Sequence, residues 1–252
     1  MTPKLEDCTF PSLQAPYHVG LRQAVEFILE NFDPVGIIAA GTIIGRNPAP
    51  SSDFDLYVIH HGDFRQRLQR RFNGIPAEIF VNTIATAGDY LSSEIKRGRP
   101  STAHMLATGF VVLERDPYLK VLRALARDVL DGNPNPTGDQ LLWMRYGLAT
   151  QVEDGLDMRD SDPATAMMIL SRAVHDMLQY AFWQANQWLP RDKDLLDATA
   201  ALNPQLDQWA RAFYDITDAS EKINFALKIA DVTIETHGFF EWDSDVEPIE
   251  PS

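Results

Sequence analysis

The chain has 252 residues, 45% hydrophobic and 10% aromatic, which is enough to bury a core in one large domain or two small ones and excludes a disordered chain. A net charge of −14 and a pI near 4.7 repel polyanions, and no long basic stripe offsets this, so nucleic-acid partners are disfavoured and a small, cationic acceptor is suited. One cysteine, Cys8, leaves no internal disulfide and suits a reducing cytoplasm, the first residues show no secretory pattern, and the longest mainly apolar run, Val35–Ile44, is too short to span a bilayer.

In chain order, Leu21, Val25, Ile28 and Phe32 recur at helical spacing after Pro16 and predict a first amphipathic helix. A strand near 35–40 follows, then a turn, a strand near 53–59, a helix near 63–72 and a strand near 75–82. Asp89–Lys96 and Thr102–Ala107 read as short helices and Gly109–Leu113 as a strand. Asp116 and Pro117 supply an N-cap and a first-turn proline for a helix reaching about Leu130. The stretch Asp131–Gly138, dense in Gly, Asn and Pro, is the clearest break in the chain. Beyond it strand signals vanish, and helices are expected near 139–158, 163–187, 193–201, 204–213 and 220–237, with Asp139 and Ser220 as N-caps and Gly238 as the final terminator. The fold class expected is α+β: a small mixed β-sheet with flanking helices over residues 1–131, then an α-helical bundle over 132–240. Residues 241–252 read as a mobile acidic tail.

The residues that carry chemistry sit early. Gly41-Thr42 is followed, ten residues on, by Asp53-Phe54-Asp55, with VGIIAA before the turn and LYVI after the aspartates. Period-2 geometry puts Asp53 and Asp55 on one strand face and Phe54 and Leu56 on the other. Two adjacent carboxylates stay ionised together only with a cation between them, and a hard divalent ion such as Mg²⁺ brings phosphate oxygens with it. A glycine lets backbone approach a phosphate closely. In the strand Ile75–Val81, Glu78 is a lone acid among apolar neighbours, where an unpaired charge is costly, so an adjacent strand carrying it completes a three-carboxylate cage.

This pattern resembles the nucleotidyltransferase superfamily that includes DNA polymerase β, with Thr42 where serine is usual. Within it the chain is similar to the kanamycin and related aminoglycoside nucleotidyltransferases, chiefly over residues 36–82, with weaker likeness in Ala107–Leu113 and Glu235–Phe239. The resemblance implies two Mg²⁺ ions on Asp53, Asp55 and Glu78. Gly41 and Thr42 would then bind the β- and γ-phosphates of ATP or another nucleoside triphosphate. It also implies a glutamate base from the helical domain. Glu153 fits that position best, with Asp154 next; a solvated acidic face is the competing reading of both. Local positive charge for the triphosphate would come from Arg46, or from the cluster Lys96, Arg97 and Arg99, which reads equally well as a solvated helix end. The implied function is transfer of a nucleoside monophosphate, AMP for preference, onto a hydroxyl of a small molecule such as an aminoglycoside. Alternatives are AMP transfer onto a protein, as in antitoxin relatives, and a catalytically silent nucleotide binder. The expected setting is cytoplasmic, without nucleic-acid or membrane partners, with a homodimer as a candidate assembly. His60, His61 and His175 lack metal-ligand spacing, and Trp143, Tyr146, Tyr180, Trp183 and Trp188 read mainly as packing.

Overall fold

The structure, a computed structural model, describes residues 3–244 and 246. Two compact units divide the chain, Met1–Asn133 and Pro134–Ser252. The first contains five strands, β1 (Pro34–Ala40), β2 (Phe54–His60), β3 (Gln66–Phe72), β4 (Ile75–Thr83) and β5 (Phe110–Glu114), in the order β3-β4-β2-β1-β5. All pairings are antiparallel except that of β2 with β4. The near-continuous apolar runs of β1 and β2 follow from this order, because the inner strands are covered on both faces.

One face packs on α1 (Ala15–Asn31), through Leu21, Ala24, Val25 and Ile28 against Phe54, Leu56, Val58, Ile79 and Val81. On the other face Ile38, Tyr57 and Ile59 meet α2 (Ile84–Lys96), α3 (Ser101–Thr108) and α4 (Tyr118–Asp131) through Ala87, Leu91, Ala103, Leu106, Leu119 and Leu122. Arg123 of α4 ties these helices together, donating from Nε to the Leu106 carbonyl at 2.8 Å and from Nη2 to those of Ala107 and Gly109 at 3.1 Å.

The expected helix at 63–72 is instead strand β3, paired with β4 from Phe72↔Ile75 back to Gln66↔Val81. Asn73 (φ 50°) and Gly74 (φ 77°) form the two-residue left-handed turn that matches the twist of a hairpin, and the closure it gives outweighs the weak helical pattern of a polar segment. With Arg67, Arg70 and Arg71, β3 is an exposed edge whose charges discourage pairing with another chain. Helix α2 starts five residues earlier than expected, because the Thr83 hydroxyl accepts from Thr86 N–H at 3.1 Å.

The second unit is helical: α5 (Gly138–Asp157), α6 (Pro163–Gln184), α7 (Leu195–Leu202), α8 (Pro204–Asp215) and α9 (Ala219–Thr233). Leu148 and Val152 of α5, Leu170, Val174 and Met177 of α6, Phe213 of α8 and Ile229 of α9 form its core. Thr137, not Asp139, caps α5, in a reciprocal pair with Gln140. Asp218, not Ser220, caps α9, and that helix ends at Thr233 with Glu235 taking the left-handed conformation (φ 54°) expected of Gly238. Trp242, placed in the tail by sequence, packs against Trp143 and Tyr146 of α5 at ring separations of 4.8 and 5.4 Å. The rest of that tail, Asp245 and Glu247–Ser252, lies outside the described residues. Among the described residues no helix is long and apolar enough to cross a membrane.

Candidate metal and nucleotide site

The parallel register of β2 and β4 sets Asp55 directly beside Glu78, with Phe54 beside Ala77. Alternation then turns Asp55 and Glu78 to the same face, the one occupied further along by Tyr57 and Phe80. Asp53 precedes β2 by one residue and shares their parity. Asp53, Asp55 and Glu78 each offer a carboxylate oxygen, and these atoms lie within 4.8 Å of one another. Three hard oxygen donors at this spacing can hold a divalent cation.

Gly41 closes the site from the end of β1. Its backbone is left-handed (φ 91°), and a Cβ there would stand 2.9 Å from Asp55 Oδ2 and 3.3 Å from the Asp53 carbonyl. At this φ a side chain is strained, and a methyl there would push the Asp55 carboxylate away from its place in the cluster. Residues Gly41–Arg46 form one turn, closed by Gly45 N–H to the Gly41 carbonyl at 3.1 Å, and no α-helix begins there to add a dipole. The Thr42 hydroxyl lies 2.6 Å from Ser52 Oγ, which accepts from Ala49 N–H at 2.8 Å, so the proline-containing spacer is tied back onto the turn. Arg46 is exposed and left-handed (φ 61°). Arg99 is half-buried in the α2–α3 connection, and Lys96 is exposed in the last turn of α2. Glu153 and Asp154 are exposed on α5, in the second unit.

Arg67 is the site residue that the sequence alone did not reveal. Its Nε donates to Glu78 Oε1, and that bond, with the nearby Asp55 charge, holds the guanidinium pKa up. Its guanidinium carbon also lies over an aromatic ring, 5.1 Å from the centre of Phe80. The Glu78 side chain is only 13% exposed, so Arg67 supplies the counter-charge its position demands. The available signal was Asn73-Gly74: a hairpin there puts Arg67 and Gln69 opposite Phe80 and Glu78. His60 organises a turn, its Nδ1 accepting from Gly62 N–H at 3.1 Å and its Nε2 bonding the Phe64 carbonyl at 2.9 Å. His61 pairs with Asp116 at 2.8 Å and His175 with Asp176 at 2.9 Å, so the three histidines stand apart from the carboxylate cluster.

No family model and no curated protein matches the sequence. Among solved structures the chain is similar to a nucleotidyltransferase-like protein from Exiguobacterium sibiricum 255-15, at 15% identity and a TM-score of 0.53, over 86% of this chain and 73% of that one. At that identity the likeness concerns architecture, and the chain therefore has a nucleotidyltransferase-like fold: a mixed five-stranded sheet with flanking helices, followed by a helical unit.

Proposed function

We propose that this protein is a Mg²⁺-dependent nucleotidyltransferase that moves a nucleoside monophosphate, AMP for preference, from a nucleoside triphosphate to a hydroxyl of a small molecule. The observation that carries the reading is the Asp53–Asp55–Glu78 cluster with the side-chain-free backbone of Gly41 against it. Asp53 and Asp55 would bind two ions and Glu78 the one nearer the acceptor; bound there, the metal supplies neutralisation of the charge that builds on the transferring phosphoryl group. Gly41 and Thr42 orient the β- and γ-phosphates, with Arg46 and Arg99 as the cations beside them. In the transfer, the acceptor oxygen bonds to the α-phosphorus while the bond to pyrophosphate breaks, and the hydroxyl proton passes to a carboxylate, for which Glu153 and Asp154 are the candidates.

The test is pyrophosphate release from each nucleoside triphosphate, with and without Mg²⁺, across a panel of small polyols that includes aminoglycosides. Mg²⁺-dependent release that needs one acceptor, and that is lost in Asp55→Asn, supports the proposal. Release that is unchanged in Asp55→Asn, or absent with every pair, refutes it. A mass increase on a protein in place of a small molecule would redirect it to protein modification.

A further inference from the structure

We propose a second ligand site on the same sheet face, beyond Glu78: a pocket for a small organic anion with an apolar body and a hydrogen-bond acceptor at its inner end. Tyr57 and Phe80 follow Asp55 and Glu78 by two positions along β2 and β4, about 7 Å at the usual strand rise. They line a pocket of about 540 Å³, within the range of small-molecule sites, together with Met105 of α3. The Tyr57 and Phe80 rings are stacked, 6.1 Å apart at 21°.

The floor contains an unanswered donor. Tyr57 is 1% exposed, and its hydroxyl has no hydrogen-bond partner among the described residues. A buried hydroxyl left unpaired costs stability, and an ordered water or a ligand atom in the pocket answers it. A tyrosine hydroxyl carries its proton at neutral pH and can offer it to an acceptor.

The mouth selects the charge. Arg65, Arg67 and Arg97 line it, in a chain whose net charge is −14. Arg65 is oriented by donating to Tyr90 Oη at 2.7 Å, and Arg67 by its bond to Glu78. The acid of the pocket, Glu94, is already engaged: one oxygen accepts from Thr102 N–H at 2.7 Å and the other from the Thr102 hydroxyl at 2.8 Å. A carboxylate or phosphate ester therefore meets guanidinium groups, while an ammonium meets repulsion. Anion capture here needs neither metal nor triphosphate, so it is separable from nucleotidyl transfer.

The experiment follows the Met105 methyl, one of seven methionine signals, in ¹³C-methyl spectra of the full chain in EDTA, with Met105→Leu identifying the resonance. Probes are 4-nitrophenyl phosphate, 4-acetylbenzoate and, as a cation of matching shape, 4-acetylbenzylamine. Saturable shifts with an anion and none with the ammonium are expected, and the tighter anion tells phosphate ester from carboxylate. Tyr57→Phe, which removes the inner donor, and Arg97→Ala, at an exposed position, should each weaken binding about tenfold. No saturable shift with either anion, equal binding of the ammonium, or wild-type affinity in either variant would overturn the proposal. Tyr57→Phe deletes only an unpartnered hydroxyl; should it fail to fold, Arg97→Ala and the charge series decide the matter.

Discussion

Replacing Gly41 by alanine separates backbone strain from damage to the carboxylate cluster. A non-glycine residue held at φ 91° costs about 1–3 kcal/mol. The added methyl would also lie 2.9 Å from Asp55 Oδ2, so the carboxylate must retreat by about 0.5 Å to reach ordinary contact, as much as a metal constellation tolerates. Gly74 supplies the control, since it is similarly left-handed (φ 77°) but a Cβ there would meet nothing within 4 Å. Both alanine variants should therefore lose about 1–3 kcal/mol in urea unfolding, from strain. Only Gly41→Ala should also weaken Mn²⁺ binding, by tenfold or more, read by electron paramagnetic resonance of the free ion. Wild-type Mn²⁺ affinity in Gly41→Ala, or an equal loss in Gly74→Ala, would refute the idea that Gly41 is required by its contact with Asp55.

Asp55→Asn should keep the unfolding midpoint near that of the wild type and cut turnover by more than ~100-fold, because charge stabilisation by a bound metal is worth several kcal/mol; near-normal turnover counts against the metal assignment. Glu153→Gln, with Asp154→Asn as its pair, should lower kcat by ~10²–10⁴-fold at unchanged triphosphate affinity if either is the base, and two silent variants would remove both from that role. Tyr57 and Tyr180 are buried, and desolvation raises both phenols. Above about pH 10 the unfolded chain loses these protons while the folded chain keeps them, so the unfolded state binds fewer and stability falls as pH rises. Absorbance at 295 nm should show Tyr57 and Tyr180 ionising above the ordinary phenol range, and a single transition of all seven tyrosines near pH 10 in the folded chain would contradict it. Arg123→Met should cost about 1–3 kcal/mol in urea unfolding, since it strips donors from the carbonyls of Leu106, Ala107 and Gly109; no change would show that these groups find other partners.

Local pattern was enough for the carboxylate strands. An alternation of period 2 with apolar flanks determines that Asp53 and Asp55 share one face of their strand and that Glu78 opposes the apolar face of its own, and the loss of strand signals beyond Asp131–Gly138 determines the change to an all-helical unit. The fold class and the turn–Asp-x-Asp spacing were legible for the same reason. Helix limits were less so: Thr137, Asp218 and Glu235 act through one or two local hydrogen bonds and one φ angle, for which neighbouring Asp139, Ser220 and Gly238 were equally suitable by residue type. Strand β3 shows where local pattern fails. Its polar, arginine-rich segment has no face that favours a strand in isolation, and the Asn73-Gly74 turn with seven pairings to β4 made it one. That pairing placed Arg67 on Glu78 and brought Arg65 and Arg67 together with Arg97, about 30 positions away in the chain. Which side chains share a strand face is readable from residue order, because it depends on bond geometry alone. Which charges answer one another, and which hydroxyl finds no partner among the described residues, that of Tyr57, came from the register between separate strands and from the helices that cover them, neither of which local pattern contains.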